Sequence, residues 1–409
     1  MPLARRLTLR DAVAIGLGSM IGAGVFSVWG PALSVGGDGV LIALAIAAVV
    51  AFCNATASAQ LAAAHPVSGG TYAYARAEIG PLAGFVAGWS FVIGKTASCA
   101  AMAMTFAAYA APAGWEVPVA ALAVAALGAV NCVGVTRTAA LTRILVLVAL
   151  LGLAVVVAAG VVAAPGAQAP PLPSATAYGV LQAAGLLFFA FAGYARIATM
   201  GEEVVDPART IPRAIVLALA GAIAVYTLIA AAVLVVLGAD AVSTAAPLTE
   251  IAARAGWSAA APLLRVAAAA ASLGALLALL TGIGRTTLAM AREGDLPRFL
   301  AAVDRRWQVP RRAEIAVTAI VIAIVIAADL RGAIGFSSFG VLLYYLIANA
   351  AAHRQSGPAR MYPLFLQVVG ALGCLLLVAT VSAEASLIGS AVVAVGLGYR
   401  AVRIRVTGR

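Results

Sequence analysis

The chain has 409 residues, of which 64% are hydrophobic and 10% charged, with a formal net charge of +11. Soluble domains use roughly half apolar and a quarter charged residues, so this composition excludes a soluble globular protein and indicates a polytopic membrane protein. No polar stretch exceeds roughly thirty residues, too few for a separate soluble domain of about 50 or more; the excess of basic residues reads as topology-setting loops rather than a nucleic-acid surface.

The N-terminal MPLARRLTLRD is basic and leads into an apolar run. That run is Gly-rich, ends at Trp29-Gly30-Pro31 and is followed by many more, so it reads as a first span rather than a cleaved signal peptide. About 20 apolar residues cross a bilayer. Twelve segments meet that description: 12–32, 40–63, 82–110, 117–134, 141–163, 179–200, 213–237, 261–287, 313–329, 333–350, 361–381 and 385–402. With a cytoplasmic N-terminus, the loops on that side collect 21 of the 26 basic residues, and the other side keeps Arg254, Arg265 and Arg331. The positive-inside rule therefore predicts a multi-pass cell-membrane protein with both termini cytoplasmic. Lys95, the only lysine, and Arg196 fall inside spans. The wholesale use of Arg elsewhere points to a GC-rich, bacterial genome.

Two spans carry sequence unsuited to an unbroken helix. Span one contains GLGSMIGAGVF, Gly16 to Phe26, and span six contains FFAFAGYARIATMGEE, Phe188 to Glu203. In hydrocarbon a backbone break is tolerated only where the freed groups meet protein, water or ligand. Paired breaks in two halves of a chain are the best sequence pointer to a secondary transporter's binding site. Between the halves lies a Pro/Ala-rich linker, residues 164–179, which reads as an outer loop. Breaking span one at Ile21-Gly22-Ala23-Gly24 gives its outer half a mid-membrane N-terminus, whose N–H groups suit a carboxylate. Gly22 and Gly24 permit close approach. A break near Ala192-Gly193 leaves carbonyls that suit an ammonium, so the pair describes an α-amino acid. The competing reading of these glycines is close helix packing, and Gly18 and Gly22 fit that pattern.

These motifs resemble a known family. GLGSMIGAGVF is similar to the first-span signature of the amino acid–polyamine–organocation (APC) transporters. Residues 188–215 resemble their sixth-span signature and the loop into span seven, and residues 285–315 resemble their loop after span eight. The resemblance implies an all-α polytopic protein of about twelve transmembrane helices. It implies a leucine-transporter-type 5+5 inverted repeat with helices 1 and 6 broken at mid-membrane, over 12–163 and 179–350. Two added helices, 361–402, and a cytoplasmic tail, 404–409, complete a single transporter domain, 1–403 plus tail. The activity implied is amino acid transport by alternating access. The chain departs from its relatives at two places: Ala195 stands where many keep a glutamate, and Ala149 where several proton-coupled ones keep a lysine.

Lys95 lies about halfway along span three, a stretch that lines the substrate site in the relatives. A lysine at mid-bilayer costs roughly 3 kcal/mol on insertion scales and is a functional candidate by default. Burial disfavours its charged form, which makes it a candidate proton carrier. The structural alternative is a lysine bonded to carbonyls or to hydroxyls such as Ser98. Positions 95, 98, 99 and 102 share one helical face. The site is thus expected to involve Ile21, Gly22, Ala23, Gly24, Lys95, Ser98, Phe189, Ala190, Ala192 and Gly193, with Lys95 coupling. Phe189, Tyr194, Arg196 and Glu202 are the gating candidates, and Ser337 and Ser338 candidate polar contacts. No acidic residue falls at mid-membrane depth in the site spans, so a neutral or acidic amino acid is preferred over a basic one. The expected partners are that substrate, a proton and the bilayer, with no nucleic acid, cofactor or metal. A permease for polyamines, other organic amines or nucleobases is the alternative on the same fold. A membrane-embedded enzyme is disfavoured, because His65 and His353 sit near span ends without a ligand pattern.

Overall fold

The computed structural model describes residues 7–65, 69–133, 139–198 and 204–407. Among them the secondary structure is helical, with no strand beyond an isolated bridge between Leu7 and Val204. The first part of the chain forms α1 (Leu9–Met20), α2 (Gly24–Ser27), α3 (Trp29–Gly36), α4 (Val40–Ala64), α5 (Gly70–Glu78), α6 (Pro81–Ala110), α7 (Glu116–Cys132) and α8 (Ala139–Ala163). After the linker come α9 (Ala177–Phe191), α10 (Ala195–Ala198), α11 (Pro207–Val236), α12 (Pro247–Arg254) and α13 (Ala261–Arg292). The chain continues through α14 (Arg311–Ala327), α15 (Leu330–Arg354), α16 (Leu364–Thr380) and α17 (Ala383–Thr407). Nine helical stretches among the described residues are long and apolar enough to cross a membrane, and α7 and α16 are shorter apolar helices. Large apolar side chains such as Leu122, Val161, Val266, Ile326 and Leu387 stand exposed on the outside, as lipid-facing positions require.

Helix α6 sits at the centre, packed against α5, α7, α13, α14, α15 and α17. Its sequence is apolar on every face, the pattern of a buried helix. Small residues let its neighbours approach to backbone distance. A Cβ added at Gly94 would lie 3.0 Å from the Val341 nitrogen, and one at Gly340 would lie 2.7 Å from the Gly94 Cα. The α6–α15 crossing is therefore fixed one residue before Lys95.

Both expected interruptions are present. Helix α1 stops at Met20, Ile21 leaves helical geometry (φ −77°, ψ 52°), and the chain restarts at Gly24. Helix α9 stops at Phe191, and Ala192–Tyr194 form a 3-10 turn before α10. The two interruptions touch, since a Cβ on Gly193 would collide with the Ser19 carbonyl. Asp206, just before Pro207 at the start of α11, adopts the left-handed region (φ 47°). Helix α11 begins at Pro207, ahead of the predicted span start at 213, so Pro212 falls inside the helix.

Ion pairs gather at the end where α1 begins. Asp295 accepts from Tyr72 at 2.9 Å and from Arg76 at 2.9 Å, and also pairs with Arg400 of α17. Burial and the Asp295 carboxylate push the Tyr72 phenol upward, so it stays a donor. Arg76 also meets Glu293 at 3.2 Å, and Arg143 pairs with Asp11. The linker is strapped down at the other end of the bundle: Asp38 N–H donates to the Pro173 carbonyl at 3.1 Å, and Ala175 N–H to the Asp38 carboxylate at 2.7 Å.

Candidate substrate site

A cavity of about 320 Å³ opens between α1, α6, the 192–194 turn, α10 and α13. Its size falls at the small end of ligand pockets. Helix α13 supplies the longest wall, through Ala275, Ala278, Leu279, Gly282, Arg285, Ala289 and Arg292. These positions recur every three or four residues, with Leu279 beside Ala278, and so fall on one face of the helix, and the wall spans roughly 26 Å at 1.5 Å per residue. The predicted span ended at 287, whereas the helix runs to Arg292. Its last turn, LAMAR, is built from strong helix formers, and it is terminated by Gly294 at φ +82°. That extension carries Arg292 onto the cavity wall, on the same face as Arg285.

Lys95 is only 5% exposed, lines the cavity and donates from Nζ to the Ala192 carbonyl at 3.0 Å. The Tyr345 hydroxyl lies 3.4 Å from the same oxygen. The interrupted turn thus holds its carbonyl against two side-chain donors from other helices. One turn along α6, the Ser98 hydroxyl meets the Ser337 hydroxyl at 2.6 Å and the Gly94 carbonyl at 3.2 Å. Ser98 and Met102 line the cavity with Lys95, while Cys99, on the same predicted face, is buried away from it. Ser338 is buried without a hydrogen-bond partner and is not part of the wall.

At the second interruption Phe189, Ala192, Gly193 and Arg196 line the cavity. Tyr194 does not: it is fully buried, its ring 5.0 Å from that of Tyr345 at 30°. Glu202 lies outside the described residues, as does Glu203. Asp206 lies 3.9 Å from Arg209. The first interruption is placed differently from expectation. Ile21, Gly22, Ala23, Gly24 and Ala190 are buried but off the cavity wall. The reason is packing: a Cβ on Gly24 would lie 2.7 Å from the Ala190 Cα, and one on Gly22 would lie 3.0 Å from the Ala275 Cβ. In this structure these glycines serve helix approach, and Ser19, one turn earlier, is the α1 residue on the wall.

Sequence reasoning also missed Tyr226 of α11. Its hydroxyl lies 2.6 Å from the Met20 carbonyl and 2.9 Å from the Ala190 carbonyl. One phenolic proton is thereby shared between the carbonyl ends of both interrupted helices. A tyrosine within an apolar run carries no signal of that role. Tyr226→Phe leaves both buried carbonyls without this donor, at an expected cost of about 1–3 kcal/mol, read as a lower melting temperature in detergent. An unchanged melting temperature would mean that the carbonyls find other partners. Among the described residues, no group of three or more His, Cys, Asp or Glu side chains is placed to hold a metal ion.

The profile of the family described as "Amino acid permease" matches residues 11–389. Uncharacterized transporters of Mycobacterium tuberculosis and Mycobacterium bovis are each 54% identical over 413 residues, covering 100% of this chain and 93% of the relative. A branched-chain amino acid permease of Bacillus subtilis is 26% identical, covering 75% of this chain and 71% of its own. Cationic amino acid transporter 7 of Arabidopsis thaliana is 26% identical, covering 86% and 66%.

Proposed function

The chain belongs to the amino acid permease family, and from that premise we propose that its central cavity carries a neutral or acidic amino acid across the membrane by alternating access with proton coupling. The protein is a membrane transporter and not an enzyme. In the proposed architecture residues 12–163 and 179–350 form two five-helix repeats of opposite topology, followed by two added helices at 361–402. The positive-inside distribution supports cytoplasmic termini, which would make the Arg285–Arg292 end of the cavity its inner mouth. The arginine-rich composition and the mycobacterial relatives support a bacterial source.

The observation that carries the reading is the Lys95–Ala192 hydrogen bond on the cavity wall. It puts a buried ammonium, the chain's only lysine, on the turn that interrupts the sixth span. Gain or loss of one proton there changes both the charge of the cavity and the tie holding that turn. Substrate contacts are assigned to Ser19, Lys95, Ser98, Phe189, Ala192 and Gly193 in this state. Ile21–Gly24 and Ala190 are left to a state in which the first interruption opens away from α9 and α13. Phe189 and Arg196 are the gating residues this arrangement favours.

The names of two relatives diverge, one pointing to cationic and one to branched-chain, hence neutral, amino acids. Lys95, Arg196, Arg285 and Arg292 line the cavity, and no described lining residue is acidic, which disfavours a cationic amino acid or polyamine. Initial uptake into proteoliposomes, measured for neutral, acidic and basic amino acids with and without an inward proton gradient, tests the proposal. Gradient-stimulated uptake of a neutral or acidic amino acid is the expected result. No uptake of any member of the panel by protein that is monodisperse and melts cooperatively overturns it.

A further inference from the structure

We infer that the ligand of this cavity carries two carboxylates, as an acidic α-amino acid or a short aliphatic dicarboxylate does. The inference rests on the permease reading and narrows its substrate class. It starts from what the wall offers a ligand. The Ala192 carbonyl, the acceptor that would suit a substrate ammonium, already receives the Lys95 ammonium at 3.0 Å. The remaining polar side chains on the wall are guanidinium groups and the hydroxyls of Ser19, Ser98 and Thr286; Ser19 and Thr286 give their protons to the Ile15 and Gly282 carbonyls of their own helices, and Ser98 bonds the Gly94 carbonyl and the Ser337 hydroxyl. The donors this wall leaves for a ligand are therefore the Arg285 and Arg292 guanidinium groups and the remaining N–H bonds of Lys95.

The acids nearby are committed elsewhere. Asp295 pairs with Arg76 and Arg400, Glu293 with Arg76, and Asp11 with Arg143. Arg285 and Arg292 line the cavity, and their side chains make no ion pair or hydrogen bond with any described residue. Glu314, the acid whose charge reaches Arg285, is 2% exposed and packs against Gly284, off the cavity wall. The two arginines are seven residues apart on one face of α13, roughly 10 Å along the helix axis. With Lys95 at the closed end they make a path lined by positive charge. A cleft of one sign concentrates the opposite ion, and a guanidinium matches a carboxylate in bidentate geometry. One carboxylate is generic to any amino acid. A second gives the ligand a net negative charge that this wall complements.

Counterflow in proteoliposomes with the full chain tests the inference, using labelled L-glutamate and L-leucine with L-glutamate, L-aspartate, glutarate, L-leucine and L-lysine as competitors. The expected result is competition by the two-carboxylate compounds at concentrations at least tenfold below leucine, and weaker still by lysine. Glutarate separates the two sources. Competition by glutamate alone keeps the α-ammonium in the ligand, competition by both assigns recognition to the carboxylates, and either supports the inference. In the double variant Arg285→Gln/Arg292→Gln the advantage of glutamate over leucine should fall at least fivefold. It should return in Arg285→Lys/Arg292→Lys, which keeps the charge. Leucine counterflow without glutamate preference, lysine competing as well as glutamate, or an unchanged ratio in the Gln variant overturns the inference while the permease reading stands. No counterflow of either label by folded protein overturns both.

Discussion

Lys95→Ala is expected to lower gradient-driven uptake by about ten- to hundredfold while the protein still folds. The magnitude follows from the contact that alanine cannot make with a substrate carboxylate: a hydrogen bond to a charged group is worth about 1.5–3 kcal/mol, and each 1.4 kcal/mol is a factor of ten. The ammonium is buried at 5% exposure and holds the Ala192 carbonyl. In the proposed cycle its proton and the substrate's negative charge favour one another. Linkage makes that preference reciprocal, so a substrate that binds better to charged Lys95 also holds the proton there more firmly. Alanine removes the preference from both sides. Stability should be kept or raised, because burying an ammonium is itself costly and Tyr345 remains beside the carbonyl at 3.4 Å. The check is a pair of measurements, uptake at two external pH values and the melting temperature. Wild-type pH dependence of uptake in the alanine variant would remove Lys95 from the coupling mechanism.

Gly193→Ala is expected to reduce uptake more than tenfold and to lower the melting temperature. The new methyl would meet the Ser19 carbonyl and the Met20 nitrogen. Both are backbone atoms, which cannot swing aside as a side chain can. Overpacking of this kind costs about 1–3 kcal/mol. Here the strain also falls between the two interruptions, so relief requires them to part and distorts the cavity beside them. Gly398→Ala in α17 is the matching control, since nothing lies within 4 Å of the added carbon. It should be neutral or slightly stabilising, as alanine is the better helix former by up to about 1 kcal/mol. Equal melting and uptake for the two variants would mean that the interruptions are not in rigid contact.

The membrane-spanning helical character of the chain was legible because apolar length is a strong signal and lipid leaves few alternatives to a helix. The interruptions at Ile21–Ala23 and Ala192–Tyr194 were legible too, from glycines placed where an unbroken helix gains nothing from them. Lys95 stood out because a lone ammonium in an apolar run needs a partner, and its carbonyl partner is on the sixth-span turn. What stayed hidden was tertiary. Glycine reads alike whether it faces a ligand or another helix, so Gly22 and Gly24 could not be told from packing residues until Ala275 and Ala190 were seen against them. Tyr226 joins two carbonyls from helices distant in sequence, and no local pattern encodes such a meeting. Arg292 was left outside the eighth span because apolar patterning fades five residues before α13 ends.

The isolation of Lys95 has a practical side. With one lysine in the sequence, an amine-acylating reagent has a single side chain to modify, besides any free α-amino group. That side chain is a wall of the cavity. The mass added to one peptide therefore reports how often the cavity admits a molecule of the reagent's size, and a bound solute that occupies the cavity competes for the same space. The chain carries its own chemical address for following its transport cycle, without an engineered cysteine or an attached fluorophore.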